Sequence, residues 1–147
     1  MPLDSSKRII HADAKIVGRD KAVGEKRVFV GYKEIDGDVS LVKEVEGAEL
    51  DQTYGAELYA VNLAVEFALK EIGKDAGLQF LILCDHESVV DLIRRPVLKP
   101  RFRTRPVLMQ IRQRLEENHS ITVDHFPLNQ ADRLLDLHWN RLKNGST

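Results

Sequence analysis

The chain has 147 residues, 43% hydrophobic and 31% charged, which reads as one soluble, globular domain with a core of its own. A net charge of −1 excludes a global basic field, so any attraction to nucleic acid has to come from local clusters. The single cysteine, Cys84, excludes an internal disulfide, and no apolar run approaches the roughly 18 residues of a membrane span.

Lys7 to Lys15 predicts a first strand. Alternation puts Ile9, His11 and Asp13 on one face and Ile10, Ala12 and Ala14 on the other. Gly18 to Gly24 reads as a turn. Lys26 to Glu34 is a second strand, Asp36-Gly37-Asp38 a hairpin turn signal, and Val39 to Val45 a third strand antiparallel to the second. Thr53 to Ile72 carries the strongest helical pattern, with Thr53 suited to the N-cap. Ala56, Ala60, Leu63 and Phe67 form one apolar stripe; Glu57, Val61, Ala64 and Ala68 form the next. Only Asn62, Glu66 and Lys70 make a polar line, with Glu66 and Lys70 spaced as an i,i+4 pair. A helix apolar over most of its circumference is a central, buried one. Gly73 to Gly77 ends it.

Phe80 to Cys84 is a run of five apolar residues, the pattern of a strand buried on both faces. It leads straight into Asp85, an acid that is costly there unless a cation, a donor or water meets it. A short helix follows from about Glu87 to Arg94, then an irregular stretch from Pro96 to Arg105. Pro106 suits the first turn of a helix running to about Asn118. Ser120 to Phe126 is a fifth strand. Asn129 to Lys143 is a last helix, with Leu134, Leu135, Trp139 and Leu142 available for packing. The order β-β-β-α-β-α-α-β-α predicts an α/β fold: a mixed five-stranded sheet with helices on both faces, as a single domain over residues 1–147. The polar start, Met1 to Arg8, lacks the apolar centre of a signal peptide, so the expected location is cytoplasmic.

Four carboxylates occupy unusual places in this plan. Asp13 lies in the first strand, Glu57 on the buried side of the central helix, Asp85 at the end of the fourth strand, and Asp132 in the first turn of the last helix. With strands one and four as parallel neighbours, Asp13 and Asp85 stand close together, and the helix after strand three can bring Glu57 over the same edge. Converging carboxylates raise one another's pKa values unless divalent cations neutralise them. Oxygen-only ligands favour Mg²⁺ or Mn²⁺. Two such ions about 4 Å apart can activate a water and stabilise the leaving oxygen of a phosphodiester.

On these residues the sequence resembles the type 1 ribonuclease H family, over nearly the whole chain. The matching stretches are Ile9-Ile10-His11-Ala12-Asp13-Ala14, Gly55-Ala56-Glu57-Leu58, Leu83-Cys84-Asp85-His86-Glu87-Ser88-Val89-Val90 and Asn129-Gln130-Ala131-Asp132-Arg133-Leu134. The resemblance implies the ribonuclease H-like fold. It implies that Asp13, Glu57, Asp85 and Asp132 are the catalytic acids and hold two Mg²⁺ ions, for which Mn²⁺ can substitute. It implies hydrolysis of the RNA strand of an RNA–DNA hybrid, leaving 5′-phosphate and 3′-hydroxyl ends. The chain departs from the family where Ala14-Lys15 follows the first acid in place of glycine and a small residue. Phe126-Pro127-Leu128 is also too short for the histidine-bearing loop of many members, and Asn129 lies three residues before Asp132 rather than four.

Arg94, Arg95, Lys99, Arg101, Arg103 and Arg105 put six cations into twelve residues, with Phe102 among them and no acid. Such a stretch can grip phosphates, and Phe102 can stack on a base. Arg101, Arg103 and Arg105 are therefore expected substrate contacts, His86 is another because it follows Asp85 directly, and the resemblance implies Asn129 as a further one. His11 shares a strand face with Asp13 and reads as its polar neighbour; His119 and His138 read as surface residues, and Cys84 as a small buried hydrophobe. Asp136 is a rival to Asp132. The structural alternative for Asp85 is capping the helix that follows it. The expected function is a Mg²⁺-dependent endonuclease acting on RNA–DNA hybrids, with no membrane association and no obligate protein partner. The alternative is a nucleic-acid-binding module on the same fold with weak or no catalysis. A phosphate-receiving signalling domain, with Asp85 as acceptor, fits poorly, because such domains alternate strand and helix from the start.

Overall fold

The computed structural model describes residues 7–17, 27–35, 37–46, 53–95, 105–127 and 130–143; the side chains of 53, 54, 105, 130, 132, 133 and 143 lie outside that description. The elements are β1 (Lys7–Val17), β2 (Arg27–Glu34), β3 (Ser40–Val45), α1 (Thr53–Lys74), β4 (Gln79–Cys84), α2 (Glu87–Arg94), α3 (Arg105–Glu117), β5 (Ile121–His125) and α4 (Gln130–Lys143). They form one five-stranded sheet in the order β3-β2-β1-β4-β5. β1 pairs antiparallel with β2 and parallel with β4, and β5 pairs parallel with β4. The sheet is therefore mixed, and β1 is its central strand. The expected turn over 18–24, residue Asp36 of the hairpin, and most of the stretch from 96 fall outside the described residues.

The alternation of β1 decides what lies on each side. Ile10 and Ala12 face α1 and join Val30, Ile82, Cys84 and Val123 in one core with Ala56, Ala60, Val61, Ala64 and Val65. α3 closes that layer through Leu108 and Ile111, both fully buried. The α1 polar line meets α3 instead of water. Asn62 Nδ2 donates to Gln110 Oε1 at 2.7 Å and Asn62 Oδ1 accepts from Arg114 Nη1 at 2.8 Å. Glu66 pairs with Arg114 at 3.2 Å, so its ionic partner comes across the helix pair rather than from Lys70 one turn on.

On the opposite face α4 packs over β1 and β2. Phe29 is fully buried there, with its ring 5.6 Å from that of His138 and 5.7 Å from Trp139. His138, expected at the surface, is half-buried because β2 presents an aromatic ring to it. Gly31 lets this helix approach. A Cβ at Gly31 would lie 2.6 Å from the Leu41 carbonyl oxygen and 3.3 Å from Leu135 Cδ2. Gly31 is also the cross-strand partner of Asp13, so β2 presents no side chain opposite that acid. No helix among the described residues is long and apolar enough to cross a membrane.

Candidate metal centre

β1 and β4 run side by side until Ala12 pairs with Cys84, and the next residue on each chain is an acid. Asp13 is only 4% exposed and Glu57, on the second turn of α1, only 2%. Both carboxylates converge on one backbone donor: the Ala14 N–H reaches Asp13 Oδ1 at 2.8 Å and Glu57 Oε1 at 3.3 Å. Asp85 follows β4 directly. Its Oδ1 is buried and has no hydrogen-bond partner among the described residues. It does not cap α2: the cap residue is His86, which itself makes no side-chain cap bond.

Burial holds the Glu57 carboxyl well above its ordinary range, and the charge of Asp13, a hydrogen bond with Asp13 and the charge of Asp85 push the same way. The Ala14 N–H pulls weakly against them. Burial lowers the His11 imidazole while the Asp85 charge draws it back up, which puts His11 within electrostatic reach of that acid. Among the described residues neither Glu57 nor Asp85 meets a lysine or arginine; the basic side chain nearest Glu57 is His86, with Nε2 3.6 Å from Oε1.

These donors fit a divalent cation. An orphaned, buried carboxylate oxygen and a carboxyl raised by its acidic neighbours are what a cation would relieve. Ligand atoms of Glu57, Cys84 and Asp85 lie within 4.8 Å of one another. Cys84 is the exception in that set. Burial pushes its thiol far up in the metal-free protein, and Glu57 adds to the shift. It makes long contacts as a donor, 3.9 Å to Glu57 Oε2 and 4.0 Å to the His86 carbonyl. A thiol is a soft donor, whereas the carboxylate oxygens beside it select hard ions such as Mg²⁺ or Mn²⁺.

No family model matches the chain, and no curated protein matches it in sequence. Solved structures do. The N-terminal RNase H domain of Rv2228c from Mycobacterium tuberculosis aligns with a TM-score of 0.70 over 96% of this chain and 99% of that one, at 16% identity. The fold is that of ribonuclease H. LC11-RNase H1, isolated from compost and solved in complex with RNA/DNA hybrid, aligns with a TM-score of 0.66 at 18% identity, over 88% of this chain and 94% of that one. The foamy viral protease-reverse transcriptase in complex with RNA/DNA hybrid aligns with a TM-score of 0.64 at 14% identity, over 88% of this chain and 18% of that one.

In this ribonuclease H fold, Asp13, Glu57 and Asp85 are brought together, as their places on β1, α1 and the end of β4 imply. Asp132 lies in the first turn of α4, with its side chain outside the described residues. Its rival Asp136 is committed elsewhere, to Lys15 Nζ at 2.8 Å. Asn129, Arg101 and Arg103 fall outside the described residues, and Arg105 opens α3 with its side chain undescribed. His86, expected to touch substrate, has its imidazole beside Glu57 at the lip of the cluster, with 38% of the side chain exposed. Two contributors escape sequence reasoning. The Ala14 amide is a backbone group with no residue-type signal. Phe126 is 42% exposed, with its ring 6.0 Å from that of His11 and its N–H on the Cys84 carbonyl, so it stands at the same rim.

Proposed function

We propose that this chain is a divalent-metal-dependent endonuclease that hydrolyses the RNA strand of an RNA–DNA hybrid. The observation that carries this reading is the convergence of Asp13, Glu57 and Asp85, with the buried Asp85 Oδ1 left without a donor. Asp132, at the start of α4, is the fourth ligand in this reading. Two Mg²⁺ or Mn²⁺ ions, when bound, supply an activated water and charge neutralisation at the leaving oxygen.

The chain's own residues do the rest. The Ala14 N–H fixes the Asp13 and Glu57 carboxylates in one orientation, so little rearrangement accompanies binding. Gly31 presents no side chain of its own opposite Asp13 and lets α4 pack close to the sheet there. The basic stretch runs from Arg94, the last residue of α2, to Arg105, the first of α3, and its Arg101, Arg103 and Arg105 would hold phosphates of the bound duplex. A hybrid would be distinguished by groove shape and 2′-hydroxyls. The hybrid complexes of LC11-RNase H1 and of the foamy viral enzyme support that substrate class for a protein of this fold.

The test is incubation with end-labelled RNA–DNA hybrid, RNA duplex and DNA duplex, with Mg²⁺ or Mn²⁺ and with a chelator. The expected result is cleavage of the RNA strand of the hybrid alone, abolished by the chelator. Hybrid binding in a gel shift without cleavage at any metal concentration would reject the nuclease and favour a binding module.

A further inference from the structure

One residue sets this cluster apart from a purely carboxylate site. His86 occupies the N-cap of α2, where Ser, Thr, Asp and Asn are favoured because their side chains can accept a backbone N–H. The imidazole makes no such bond. Its backbone is nevertheless fixed in an extended conformation, φ −98° and ψ 102°, and its carbonyl accepts the N–H groups of Val89 and Val90, each at 3.1 Å. The side chain points instead at Glu57, with Nε2 3.6 Å from Oε1. Two ligand atoms on one ion lie about 3.0 Å apart when adjacent in an octahedron and about 4.2 Å apart when opposite, given bonds of about 2.1 Å. The observed separation matches neither value, so joint ligation would move the imidazole by roughly 0.6 Å toward the adjacent arrangement, and its nitrogen stands outside the group formed by Glu57, Cys84 and Asp85. With 38% of the side chain exposed, the ring has solvent on one side and room to adjust.

We propose that His86 is a nitrogen ligand of this metal centre and tilts its preference from Mg²⁺ toward Mn²⁺. The proposal rests on reading the acid cluster as a metal centre. Mg²⁺ keeps near-ideal octahedral oxygen coordination and dehydrates reluctantly, whereas imidazole nitrogen suits transition ions. A site of carboxylates alone accepts either ion; one nitrogen beside Glu57 strengthens the preference for the transition ion. His86 is thus assigned a role in metal choice in place of the substrate contact that its position after Asp85 implied.

The experiment uses the full chain with Mn²⁺ as the paramagnetic probe. Electron spin-echo spectroscopy of the Mn²⁺-loaded wild type should show modulation from a directly bound imidazole nitrogen. His86→Asn, which places a good capping residue at the start of α2, should lose it. Competition titrations should show Mn²⁺ affinity falling by about tenfold in that variant, with Mg²⁺ affinity unchanged. His86→Gln serves as a second variant, and circular dichroism checks that both are folded. Mn²⁺ bound with oxygen-only coordination in the wild type would overturn the role of His86 alone. So would nitrogen modulation that persists in both variants, or an equal loss of both metals. A wild type that binds no Mn²⁺ would overturn the metal-centre reading as well.

Discussion

The two ends of β1 handle carboxylates in opposite ways, using the same three neighbouring elements. At the start of the strand, Arg8 donates to Glu34 at 2.8 and 2.6 Å and to Glu71 of α1 at 2.9 Å. Its guanidinium lies 5.4 Å over the Phe67 ring and 5.2 Å over Phe80 of β4. Near the other end, Asp13 of β1 meets Glu57 of α1 beside Asp85. Two glutamates on one helix are therefore shifted in opposite senses. The Arg8 hydrogen bond holds Glu71 below its ordinary range, while burial and Asp13 hold Glu57 well above it. The lesson is where the sequence places cations. At one end a guanidinium makes the carboxylates part of the fold's stabilisation. At the other end the acids face one another, an arrangement that costs stability and persists where a ligand offsets it.

The largest effect that would break this comparison is catalytic. Asp85→Asn should leave a folded protein by circular dichroism but lower hybrid cleavage by more than about a hundredfold, since it removes charge at the reacting centre. Cleavage kept near the wild-type rate would place the chemistry elsewhere. Next comes packing around the acid end. Gly31→Val pushes side-chain atoms into the Leu41 carbonyl and Leu135, and should cost about 1–3 kcal/mol in urea unfolding. At the Arg8 end, Arg8→Met retains apolar contact with Phe67 and Phe80 but leaves Glu34 and Glu71 facing each other. Stability should fall by about 1–2 kcal/mol, with cleavage unchanged.

The smallest effect carries a sign that the two ends do not share. In the unfolded chain Glu57 gives up its proton near its ordinary value of 4.5, whereas the folded protein keeps it to higher pH. Above that value the folded state binds more protons than the unfolded one, so metal-free stability falls as pH rises through the window between the two. Glu57→Gln removes this slope and should raise metal-free stability at neutral pH. Thermal unfolding of both proteins across pH in chelator measures it. A wild type that gains stability across the same window would contradict the account.

Much of the fold was legible because its signals are local and regular. The apolar run Phe80–Cys84 marked the buried strand, the circumference of α1 marked the central helix, and the element order gave the mixed sheet. The acids at Asp13, Glu57 and Asp85 stood out because each breaks an apolar pattern. What escaped is pairwise or non-periodic. Glu66 takes Arg114 over Lys70 because α3 brings a guanidinium that one-helix reasoning does not contain. The Ala14 amide has no residue-type signature, and His138 is half-buried by Phe29, a neighbour 109 residues distant in sequence. His86 drew attention by its place after Asp85, but its direction toward Glu57 has no sequence signal.

Metal-dependent unfolding tests the central claim most directly. Melting temperatures of the wild type and Asp85→Asn are measured across a Mg²⁺ and a Mn²⁺ titration at neutral pH. An ion bound only by the folded state adds about 2.7 kcal/mol at a hundred times its dissociation constant. The account predicts that the wild type rises steadily with metal concentration and that Asp85→Asn stays nearly flat. A wild type insensitive to both ions, or a variant that rises in parallel with it, would contradict the claim that these acids form a metal centre.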